Sequence, residues 1–84
     1  MEKLTDLPNI GRVLAGNLER IGVDSPELLR QIGAREAFLR IRAEVDSGAC
    51  LHQLEALEGA VNGVRKSLLP AQAKEELKAW YRAL

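Results

Sequence analysis

Leu7-Pro8-Asn9-Ile10-Gly11 is the stretch whose residue types could hold a ligand, and that ligand would be an anion. Pro8 fixes its own φ and pushes Leu7 out of the helical region, so any helix before it must stop here. Asn9 tolerates left-handed backbone, and Gly11 tolerates almost any backbone. Such a turn, opening into a helix at Arg12, leaves the N–H groups of Ile10, Gly11 and Arg12 without intrahelical partners. Those donors sit at the positive end of the helix dipole, where a phosphate is well held. Arg12 adds a charge-assisted contact at the same place, and Arg20 and Lys3 are neighbouring candidates. The candidate nucleic-acid-binding residues are therefore Asn9, Ile10, Gly11, Arg12 and Arg20. Contacts of this kind read no bases, so binding would be independent of sequence. The competing reading is that the stretch is only a well-made turn, with Leu7 and Ile10 plugging it onto a core.

No catalytic constellation is present. His52 is the only histidine and stands two residues from the only cysteine, Cys50. On a helix that spacing sends the two side chains to different faces, which rules out a local nucleophile–base pair. Cys50 reads as a small buried or half-buried residue and His52 as an exposed one. Glu55 with Glu58, and Glu75 with Glu76, read as solvated faces. Only Glu55 or Glu58 could join His52 on a metal, and the site would be weak. The expectation is a non-enzymatic chain with no cofactor and no metal.

Composition narrows the class. At 84 residues the chain makes one domain with a modest core. Twelve basic and twelve acidic residues cancel to a formal net charge of zero. Nucleic-acid binders usually show a basic excess, so any basic surface here must be local. One cysteine excludes an intrachain disulfide and suits a reducing cytoplasm. The Met-Glu-Lys start lacks the apolar stretch of a signal peptide, and no apolar run approaches a membrane span. A cytoplasmic location is expected.

The elements that would position the turn are all helical. Ala and Leu dominate, and Val, Ile and Thr are too sparse for a sheet. Residues 3–7 give about one turn. A second helix runs over 12–21 with Leu14, Leu18 and Ile21 on one face, and Gly22 ends it. Gly16 inside it marks either an exposed position or a close approach to a neighbour. Asp24-Ser25-Pro26-Glu27 starts a third helix that ends at Gly33. A fourth covers 34–45, with Ala34, Ala37, Phe38, Ile41 and Val45 as its apolar stripe. A fifth spans 50–62, burying Leu51, Leu54, Leu57, Ala60 and Val61. Residues 64–69 form a connector, and a last helix from Pro70 carries Ala73, Leu77, Trp80 and Leu84, with Trp80 closing the core. The small face Ala56, Gly59, Ala60 and Gly63 would take a neighbour, from this chain as core packing or from another chain as a dimer.

A repeat underlies the front half. Leu7-x-x-Ile10-Gly11-x-x-x-Ala15 returns as Leu29-x-x-Ile32-Gly33-x-x-x-Ala37. This suggests two pseudo-symmetric helix–hairpin–helix units over 1–46, capped by 47–84. The second copy has Arg30-Gln31 where the first has Pro8-Asn9, so its role would be structural. The expected fold is all-α, with five to six short helices. Its front half would be helix–hairpin–helix-like or SAM-like, and two longer C-terminal helices would cap it.

Leu7 to Gly11 followed by Ala15 and Leu18 resembles the helix–hairpin–helix motif of DNA-binding and repair proteins. The whole chain resembles the C-terminal domain of the TfoX/Sxy competence regulators. The matching pieces are 7–11, Ile21-Gly22-Val23, Gly33-Ala34 with Phe38, the Leu54 to Gly63 stretch, and Leu69-Pro70. The resemblance implies an all-helical domain linked to the regulation of DNA uptake, with no set ligand. Two departures stand out: family regulators usually carry a separate N-terminal domain, and many DNA-binding hairpins have Gly where this chain has Asn9. The candidate partners are DNA, held weakly and without sequence preference, or a regulatory protein. The latter corresponds to an adaptor without nucleic-acid contact. A homodimer is also possible, and no membrane partner is expected.

Overall fold

A computed structural model describes residues 2–84. Among them there is no strand, and no helix is long and apolar enough to cross a membrane. Four α-helices follow one another: α1 (Arg12–Arg20), α2 (Pro26–Glu44), α3 (Leu51–Asn62) and α4 (Ala71–Arg82). Two short 3-10 turns, Leu4–Asp6 and Lys66–Leu68, lie before α1 and before α4.

Four α-helical elements stand where five to six helices were expected, and two places account for the difference. The first segment is too short for an α-helix and closes as a 3-10 turn, with the Asp6 carboxylate accepting the Lys3 N–H at 2.8 Å. The third and fourth expected segments follow one another along α2, which is broken at Gly33: its φ 82° and ψ 166° are not helical, so one residue joins two helical runs. That conformation is open essentially to glycine alone. Arg30 and Gln31 are good helix formers, so the second repeat makes a bend rather than a hairpin. α2, with 19 residues, is also longer than either C-terminal helix, at 12 residues each.

Each helix starts and stops for local reasons. The Ser25 hydroxyl accepts the Leu28 N–H at 3.2 Å, and Pro26 and Glu27 fill the first turn of α2. α1 ends in a Schellman motif, where Val23 N–H reaches Leu18 O at 2.9 Å and Gly22 N–H reaches Glu19 O at 3.0 Å. Leu18 and Val23, which bracket that motif, are both buried. α3 ends the same way through Gly63 and Val64.

The core lies where α2 and α3 pack, with Leu29, Phe38 and Ile41 meeting Leu54 and Leu57. Leu77 of α4 and Leu18 of α1 complete it from either side. All three aromatic residues of the chain form one cluster: Trp80 and Tyr81 approach Phe38 edge-on, with centroids 6.2 and 5.9 Å away. Trp80 is half-buried under the Arg35 guanidinium, 5.8 Å from its ring. Leu84 departs from its expected place on the buried stripe. It lies past the end of α4 and is 49% exposed. Cys50 also departs: it is exposed, at the residue that precedes α3.

Candidate nucleic-acid interface

The turn over 7–11 is pinned as its sequence requires. Leu7 and Ile10 are both buried, and Leu7 is extended at φ −77°, ψ 148° ahead of Pro8. Asn9 takes the left-handed conformation, φ 69°. Gly11 does not; at φ −93° and ψ −172° its backbone is open to any residue. A Cβ at Gly11 would meet nothing within 4 Å. What the glycine supplies is an N-cap without a side chain, and no side-chain oxygen caps α1.

The candidate residues divide sharply. Gly11 and Arg12 are exposed, as is Val13 at 78%. No acid lies in the first turn of α1, so its leading N–H groups face solvent beside one guanidinium. Ile10 does not join them: its side chain is buried and its N–H donates to Leu7 O at 3.4 Å. Arg20, eight residues further along α1, lies about 12 Å away along the helix axis. There it sits in the last turn, where a cation suits the negative end of the dipole. Lys3 lines a shallow groove with Glu2, Glu19 and Asp24, apart from the turn.

Asn9 works inward. Its side-chain N–H₂ donates to Val64 O at 3.0 Å and to Ala56 O at 3.3 Å, and its Oδ1 accepts the Lys66 N–H at 2.9 Å. Both donor hydrogens and the carbonyl are therefore engaged by the end of α3 and the turn after it, which leaves the amide no donor for a phosphate. Gly59 makes this approach possible. A Cβ there would stand 2.5 Å from Asn9 Nδ2 and 2.6 Å from Val64 O. The small face of α3 is thus filled within this chain, by a turn rather than by a helix from a second chain.

That clasp brings Arg65 and Lys66 beside the turn, and both are exposed. Sequence reasoning passed over them as part of a connector. The adjacent Arg-Lys pair was visible, but its closeness to Asn9 spans 57 residues and no local pattern encodes it.

The His52 side chain is 78% exposed, with Nδ1 3.8 Å from Glu55 Oε1. Among the described residues, no group of three His, Cys, Asp or Glu side chains could hold a metal ion.

The described residues thus form an all-helical fold that leaves Gly11 and Arg12 exposed at the start of α1. The chain belongs to the TfoX C-terminal domain family, which matches residues 1–81. It is 35% identical over 83 residues to Protein Sxy of Escherichia coli K12, covering 99% of this chain and 39% of that protein. The chain thus spans well under half the length of this curated relative. A triclinic crystal structure of an uncharacterised protein from Listeria monocytogenes superposes with a TM-score of 0.95 at 44% identity, over 98% of this chain and 92% of that one. A tetragonal crystal structure of a protein of unknown function from the same species gives a TM-score of 0.92 at 45% identity, covering 95% and 96%.

Proposed function

We propose that this domain is a non-enzymatic regulatory module of the TfoX C-terminal type, acting in the control of DNA uptake, that holds the DNA backbone through its N-terminal turn. One observation carries the reading: α1 opens on Gly11 with no side-chain cap and no acid in its first turn, and Arg12 is the first helical residue. Amides of the first turn and the Arg12 guanidinium would share one phosphate. Binding would be weak and indifferent to sequence, with dissociation constants on the order of 10⁻⁴ to 10⁻⁶ M, as for other backbone-only contacts. Fluorescence anisotropy with a labelled duplex at low salt tests it. Affinity is expected to fall steeply as salt rises and to drop about tenfold or more on Arg12→Glu. Absence of binding at high micromolar protein overturns the reading.

A second reading, a protein adaptor without nucleic-acid contact, is favoured by a groove of about 520 Å³ lined by Leu39, Arg42, Ala43, Ser47 and Leu84. Leu39 and Leu84 are large apolar side chains left open there. Self-association through this groove would double the 9.2 kDa mass in light scattering, and Leu39→Glu would restore the monomer.

A further inference from the structure

The charges of this chain balance overall but not locally. Residues 7–18 and 59–74 contain no Asp or Glu, yet they carry Arg12, Arg65, Lys66 and Lys74. These two stretches are far apart in sequence, and the Asn9 clasp joins them: Asn9 bonds to Val64 O and to the Lys66 N–H. The acids next to them in sequence are Asp6, whose carboxylate accepts the Lys3 N–H, then Glu19, Glu75 and Glu58, the last half-buried on α3. A protein of zero net charge thereby brings the exposed Arg12, Arg65 and Lys66 onto two turns that the clasp holds together.

We infer that Arg65 and Lys66 form a second backbone-contacting arm beside Arg12, so that the two clasped turns together grip successive phosphates of one duplex strand. This rests on the DNA-backbone reading above and extends it to residues outside the N-terminal turn. Arg12 is three positions on from Asn9, a span of at most about 11 Å, and the Lys66 N–H lies 2.9 Å from Asn9 Oδ1. Two arms so close reach neighbouring phosphates without the protein bending the duplex. Contacts to phosphate carry no base information, so the second arm adds affinity and salt dependence and no sequence preference.

The experiment compares three variants by anisotropy on one labelled duplex across a salt series. Arg12→Glu tests the turn, and the double variant Arg65→Glu/Lys66→Glu tests the second arm. The double variant Lys78→Glu/Arg82→Glu controls for net charge. Both lie on α4, about 10 and 16 Å along that helix from its start beside the second arm. Arg65 and Lys66 are exposed and the bond to Asn9 uses the Lys66 main chain, so reversal leaves the fold intact; circular dichroism melts verify this. The expected result is a roughly tenfold or greater loss for Arg65→Glu/Lys66→Glu, with the slope of log K against log salt shallower by about two, and little loss for the control. If the wild type and Arg12→Glu differ but Arg65→Glu/Lys66→Glu matches the control, the second arm is overturned and the N-terminal turn stands. If the wild type does not bind, both fall together.

Discussion

Asn9 shows how one side chain can serve two structural needs that look separate in sequence. Its backbone supplies the left-handed residue of the turn, and its amide ties that turn to residues 47 to 57 positions away. The backbone role was legible, since Asn is among the few residues that enter this region readily. The amide role was not, because nothing local to Asn9 names Ala56, Val64 or Lys66 as partners. Gly59 carried half of the message: its lack of a side chain was read as room for a helix, whereas the occupant is the Asn9 amide itself. Substitution separates the two roles. Asn9→Gly keeps φ 69° at little strain and removes only the clasp, leaving Val64 O and the Lys66 N–H to find water. We expect a loss of about 1–3 kcal/mol in denaturant unfolding. Asn9→Ala should lose about 1 kcal/mol more, because alanine resists left-handed backbone. Equal losses for the two would show that the conformation contributes nothing.

Among the elements, two helical glycines have opposite meanings. Gly33 sits at φ 82° and ψ 166° and makes the bend that lets α2 carry Leu29 and Phe38 into one core. Gly33→Ala should destabilise by roughly 1–3 kcal/mol, since no Cβ-bearing residue rests there. Gly16 lies inside α1 at helical geometry, and a Cβ there would meet nothing within 4 Å. It is a tolerated position rather than a close contact. Gly16→Ala should add up to about 1 kcal/mol, raising Tm by several degrees in a domain of this size. A thermal melt of the pair gives the two signs directly. Helix positions were readable because apolar spacing and caps agree along α1, α3 and α4. The break at Gly33 was readable too, as a helix end followed by a new start at Ala34; that no loop separates the two runs was not.

For the whole molecule, attachment is uneven. α2 and α3 form the main interface, whereas residues 2–23 join the rest through buried Leu4, Leu7, Ile10 and Leu18 and through the Asn9 clasp. Releasing the clasp should therefore act on this segment first. In native-state hydrogen exchange, Asn9→Gly should speed the amides of α1 while those of α3 keep protection close to the global limit. Uniform acceleration across all four helices would mean that the domain opens as one unit. The all-helical fold was apparent from composition and periodicity. Which acid-free stretches come to lie together was hidden, since the Asn9 clasp that joins them spans 57 residues.

Because the Asn9 amide reaches Lys66, the N-terminal turn acquires its shape only after most of the polypeptide has been gathered. It is not a portable motif. A synthetic peptide of residues 2–23 would contain Gly11 and Arg12 but lack the carbonyls that orient Asn9, and ring closure over 57 residues delays the event during folding. The geometry of this turn is thus a late product of assembly, which makes its presence a report that the C-terminal helices are already in place.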